Sequence, residues 1–134
     1  MDALLRALQS EGYTAVTVLG GEAVRVPLNA GPLRIGAVNM DGQLMLEFTV
    51  EFTHSPVAEL VCAVNQHLPL VGFELGEEGL RFRHVQVGVD ADVACFTVEL
   101  VDYVTQRYAP IFQAESLHQG LHRLDENLEG WEPE

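Results

Sequence analysis

Apolar residues recur at helical spacing towards both ends of the chain and at alternate positions through its middle, and this change of period predicts the elements. Leu4, Leu5 and Leu8 share one side of a helical wheel closed by Glu11 and Gly12, which predicts a short first helix. From Tyr13 to Leu19 β-branched residues predominate, Gly20-Gly21 fits a two-residue hairpin turn, and Glu22 to Leu28 supplies the returning strand. Asn29-Ala30-Gly31-Pro32 reads as a loop, Leu33 to Asn39 as a third strand, and Asp41-Gly42 as the turn into a fourth. In that fourth strand Leu44, Leu46, Phe48, Val50 and Phe52 alternate with Met45, Glu47, Thr49 and Glu51, so the sheet is expected to bury one face.

Ser55 as a cap and Pro56 at the first helical position predict a helix through about His67, stopped by Pro69. Leu70 to Leu75 and Leu80 to Val89 read as two further strands joined by Gly76-Glu77-Glu78-Gly79. The second changes phase near His84, where a bulge and a change of covering layer are both open readings. Asp90 or Asp92 caps a long helix whose apolar positions are Val93, Phe96, Leu100, Val104, Tyr108 and Ile111. Pro110 is expected to kink or break that helix just before itself. Leu117, Leu121, Leu124 and Leu128 then repeat like two heptads of a coiled coil, and the tail from Glu129 to Glu134 is expected to fray. The predicted fold is α+β: an antiparallel sheet of about six strands with helices packed on it, in the order α-β-β-β-β-α-β-β-α, ending in a kinked C-terminal helix. One domain is expected over 1–134, with 114–129 a leucine-striped extension.

Composition agrees with one core, since 48% of the 134 residues are hydrophobic. Charge narrows the partners, because 20 acidic residues against 7 basic ones give −13. Every cation is an arginine (Arg6, Arg25, Arg34, Arg81, Arg83, Arg107, Arg123), and these lie scattered along the sequence. Such a chain is expected to repel nucleic acid and anionic membranes and to attract a basic protein surface. The start of the sequence lacks a basic segment followed by an apolar run, and no stretch is long enough to span a bilayer, so a cytoplasmic protein is expected. Cys62 and Cys95 read as two reduced core thiols.

Candidate chemistry is sparse. His118 and His122 stand four residues apart on one helical face with Glu115, Asp125 and Glu126 nearby, a spacing at which two imidazoles can share a metal. No third ligand is fixed by spacing, and a solvated face accounts for the same residues. Asp90-Ala91-Asp92 offers hard oxygens to a divalent cation and equally a helix cap. His54, His67 and His84 are isolated, and no nucleophile elbow, phosphate loop or dinucleotide fingerprint is present, so the sequence supports neither catalysis nor a cofactor. The second predicted helix is apolar nearly all round. Coverage by the C-terminal helix or by a second subunit would explain it, and the latter would place Ala58, Val61, Cys62 and Ala63 at a homodimer interface.

The opening Leu4-Leu5-Arg6-Ala7-Leu8-Gln9-Ser10-Glu11-Gly12-Tyr13, then Val64-Asn65, Phe73-Glu74-Leu75, Gly79-Leu80-Arg81-Phe82-Arg83 and the long helix from Val93 together resemble the YbjN family. That family's domain is similar in fold to the type III secretion chaperones. The likeness extends to about Gln113 and implies a non-enzymatic, dimeric, partner-binding protein linked to bacterial stress response. The expectation is therefore a chaperone-like adaptor for a protein with a basic surface, with Glu47, Glu51, Glu77 and Glu78 as acidic contacts. The alternative is a metal-dependent or small-molecule-binding domain using His118 and His122.

Overall fold

The computed structural model describes residues 2–52, 56–66, 72–76 and 79–127 in full and 128–129 by their backbone. Helix α1 (Asp2–Ser10) buries Leu4 and Leu8 and ends as its glycine dictates. Gly12 takes a φ of 93°, and the amides of Gly12 and Tyr13 donate to the carbonyls of Gln9 and Leu8, the paired closure that a left-handed residue after a helix permits. Strands β1 (Val16–Val18) and β2 (Ala23–Pro27) form the first hairpin. It closes on a 3-10 turn over Leu19–Gly21 rather than on Gly20-Gly21 alone, since Val18 opposite Ala23 is the last register pair. The next hairpin has the expected two-residue turn: Asp41 and Gly42, at φ 54° and 80°, join β3 (Pro32–Met40) to β4 (Gln43–Glu51).

After α2 (Ala58–Asn65), β5 (Gly72–Gly76) and β6 (Gly79–Val87) complete one antiparallel sheet in the order β1-β2-β3-β4-β6-β5. This is an α+β fold in the expected element order. The register of β6 on β4 runs unbroken from Met45 opposite Val87 to Glu51 opposite Arg81, so there is no bulge at His84. The phase change instead reflects polarity switching between faces. Phe82, His84 and Gln86 continue along the face that the helices cover, where the buried Gln86 accepts a hydrogen bond from the Thr97 hydroxyl at 3.1 Å. Val85 and Val87 belong to the opposite, open face, and Val87 is exposed.

Leu33, Ile35, Leu46, Phe48, Val50 and Phe82 form the floor of the core, on which all four helices place buried side chains. Leu44, at the start of β4, escapes this floor and is exposed. Phe73 sits at the centre of an aromatic cluster, 5.2 Å from Phe82 and 4.7 Å from Phe112 between ring centroids. The edge strand β5 is fastened by one side chain: Asn65 donates to the Phe73 carbonyl and accepts from the Phe73 amide, both at 2.8 Å. An amide pairing with both groups of one edge residue substitutes for a neighbouring strand there.

Two helix boundaries differ from the sequence expectation. Helix α2 begins at Ala58, after a Val57 without a side-chain cap, so Pro56 precedes the helix; Ser55, His67, Pro69 and Leu70 lie outside the described residues. Helix α3 (Ala91–Phe112) runs through Pro110, which falls in its last turn, and the chain reverses over Gln113–Ser116 instead. The reversal is set by Ser116, whose hydroxyl accepts from the Gln119 amide while Gln119 reaches back to the Glu115 amide, a close variant of the capping box. Helix α4 (Leu117–Glu129) returns antiparallel to α3, tied by Arg107 to Asn127 and by Arg123 to the Pro110 carbonyl. Along its inner side Gly120 and Leu124 are buried and Leu117 is half-buried, while Leu121 is exposed and the Leu128 side chain lies outside the described residues. Gly120 lies against Leu60, closing α4 over α2.

Candidate functional site

Asp90 starts α3 by accepting from the amides of Asp92 and Val93 at 2.9 and 3.1 Å, so its carboxylate is used as a helix cap. The helix then buries Ala94, Thr97, Val98, Val101, Val104, Thr105 and Tyr108. Of the stripe expected to face the core, Val104, Tyr108 and Ile111 do so, whereas Val93, Phe96 and Leu100 lie roughly 105° around the helix, at 100° per residue, from the buried side. These three are left in solvent, with Val93 51% exposed, Phe96 69% and Leu100 44%, and Tyr103, 48% exposed, joins them. At steps of three, four and three residues they form one continuous helical face.

That face is edged with acid. Asp92 and Glu99 lie one turn before and after Phe96, and with Glu11 they line a groove of about 470 Å³ between α1 and α3 that also contains Cys95 and Phe96. The field is negative enough to act on both titratable neighbours. Burial first, and then Glu11, Asp92 and Glu99, push the Cys95 thiol above its ordinary range. Burial and then Glu99, Asp102, Cys95 and Glu11 do the same to the Tyr13 phenol. In each case the charged form is disfavoured by lost hydration and by surrounding negative charge. The arrangement is an apolar ridge with an acidic flank; among the described residues it includes no base poised against a nucleophile.

The other sequence candidates are dispersed. Glu47 is half-buried and ion-paired to Arg83 at 2.9 Å, so it is consumed within the sheet rather than presented to a partner. Glu51 is exposed on the open sheet face, and Glu77 and Glu78 lie outside the described residues. The arginines that are scattered in sequence gather in space, with Arg25, Arg34, Arg81 and Arg83 on that open face. His118 and His122 are exposed on α4, where His122 approaches Glu126 at 3.1 Å. Among the described residues no three His, Cys, Asp or Glu side chains converge as a metal site; His54 and His67 are not described.

Leu60, Val61 and Val64 of α2 are buried inside the chain, where α4, β5 and α3 pack on the helix. Val61 is therefore unavailable to a second subunit, while Ala58 and Cys62 are exposed and Ala63 is half-buried. Cys62 is a surface thiol rather than a core one, and both cysteines are free. Among the described residues no helix is long and apolar enough to cross a membrane.

Phe96, Leu100 and Tyr103 are the functional candidates that the pattern along the chain conceals, because periodicity assigns the first two to the core. One signal was present: apolar residues occupy more of α3's circumference than a single sheet can cover. Comparison of the chain with protein-family models, with curated proteins and with solved structures finds no match.

Proposed function

We propose that this protein is a non-enzymatic binding module, a chaperone-like adaptor of the kind the YbjN resemblance implies, whose α3 face takes up an apolar segment of a partner that carries basic residues. The observation behind this reading is Phe96, more than two-thirds exposed between Val93 and Leu100 although the chain has a well-filled core. Fully burying a side chain of this size contributes about 1.5–3 kcal/mol, so an aromatic anchor with two aliphatic neighbours can supply most of a specific affinity. The flanking Glu11, Asp92 and Glu99 select the partner's charge and accelerate encounter with a cationic surface. They also disfavour a second copy of this chain at the same face, because a two-fold contact would bring these carboxylates near their own counterparts.

Immobilised wild-type protein and the Phe96→Ser/Leu100→Ser double variant would be compared for capture of proteins from the native lysate, with melting curves confirming that both are folded. A basic protein retained by the wild type and lost from the double variant is the expected outcome. A partner held equally by both would place the contact elsewhere.

A further inference from the structure

In a chain without lysine, how each arginine is used is informative. Arg81 is held by Glu74 at 2.8 Å, Arg83 by Glu47 at 2.9 Å, Arg107 by Asn127 and Arg123 by the Pro110 carbonyl. Arg25 and Arg34, like the exposed Arg6 of α1, have neither an ion pair nor a hydrogen bond among the described residues, and these two alone of the three face each other, as register partners on β2 and β3. Like charges directly opposite one another weaken an antiparallel pair. Among the described residues no carboxylate within ion-pair distance offsets that repulsion, even though acids greatly outnumber bases in this protein.

The same two arginines line a cavity of about 210 Å³ on the open sheet face, with Val18 and Pro32 as apolar walls and Thr49 and Glu51 on its β4 side. The β2–β3 loop lies close to the end of β4 because residue 31 is glycine: at its φ of 156°, a Cβ would stand 3.2 Å from the Glu51 carbonyl. This loop sets Pro32 beside the arginines. The volume lies below the roughly 300 Å³ at which sites for drug-sized ligands begin, so the occupant is small.

We infer that this cavity is a binding site for a small molecule with an oxyanion head, a carboxylate or a phosphate ester, on a short apolar body. The paired guanidinium groups supply forked donors that match either head group, and they are already charged and, among the described residues, unengaged. Val18 and Pro32 receive the body, and Glu51 is placed to accept a hydrogen bond from a hydroxyl or amine on the ligand. The site is on the sheet face opposite the helices and is independent of α3.

The test is a titration of the intact protein with hexanoate, hexyl phosphate and hexanol, followed by the amide resonances of Arg25, Arg34 and Thr49. At least one of the two anions is expected to shift these resonances saturably while hexanol does not, and the anion that binds more tightly identifies the head group. Arg25→Gln and Arg34→Gln should each weaken binding by about tenfold or more, whereas Arg6→Gln, at an exposed arginine on α1, should leave it unchanged. Should a glutamine variant fail to fold, Arg25→Lys and Arg34→Lys retain the charge without the fork and should also bind more weakly. The inference is overturned if neither anion binds, if hexanol binds as well as the anions, or if Arg6→Gln weakens binding as much as the variants in the cavity.

Discussion

Asn65 makes the case for the single residue. In sequence it is one polar position near the end of an apolar helix, yet its amide secures both polar backbone groups of Phe73 on the edge strand. Asn65→Ala removes two partly buried hydrogen bonds and should cost about 1–3 kcal/mol, read as a lower urea midpoint. Nothing local announces this role, because the partner is eight residues away and the pairing depends on how α2 packs against β5. Asp90 is the opposite case: a carboxylate just before an apolar helical run was legible as a cap, since capping geometry is local.

Cys95, Tyr13 and Tyr108 all have their pKa values raised in the folded protein, chiefly by burial. The unfolded chain releases these protons from the ordinary values of 9.0 for the thiol and 10.0 for the phenols, whereas the folded chain retains them to higher pH. Above those values the unfolded state binds fewer protons. Their contribution to stability is therefore complete at neutral pH and is lost as pH rises through the unfolded and then the folded values. Urea midpoints at about pH 8 and about pH 10.5 should show the loss. Alkylation at mildly alkaline pH should modify the exposed Cys62 well before Cys95.

At the level of elements, strands were read more faithfully than helices. Period-two alternation in β4 ties each residue to one of only two faces, and pairing with β3 and β6 preserves that choice. A helix offers a continuum of faces. In α3 the apolar arc is wide enough for either of two stripes to be the core, and only packing against α1, α4 and the sheet decides between them. Pro110 does not break α3 because in the last turn of a helix few backbone hydrogen bonds remain to be lost, so the reversal occurs where Ser116 can cap the next helix. Gly120 is buried where α4 crosses α2. A Cβ there would stand 2.6 and 2.9 Å from the methyl carbons of the buried Leu60. Gly120→Ala gains about 1 kcal/mol in helix propensity but incurs about 1–3 kcal/mol of overpacking, so a net loss near 1 kcal/mol is expected from denaturant titration.

Across the whole molecule the fold separates charges that the chain intersperses. Four of the seven arginines meet on the open sheet face with Glu47, Glu51 and Glu74, leaving that surface near balance. The excess negative charge therefore lies elsewhere, in part around the groove beneath Phe96. Net charge was plain in the sequence and its distribution was not, since strand pairing unites Arg25 with Arg34 and Arg81 with Glu51 across intervals that no local pattern spans. Association with a basic partner should accordingly slow as salt is raised, and Glu99→Gln should slow it at low salt while leaving the dissociation rate nearly unchanged.

The measurement closest to the central claim is the footprint of a captured basic partner on this protein, recorded as side-chain chemical shifts in the complex. Binding at the α3 face predicts that Val93, Phe96, Leu100 and Tyr103 shift together with Cys95 in the groove, while Val85 and Val87 on the open sheet face stay in place. Shifts confined to the sheet face or to α4, with Phe96 and Leu100 unchanged, would contradict it.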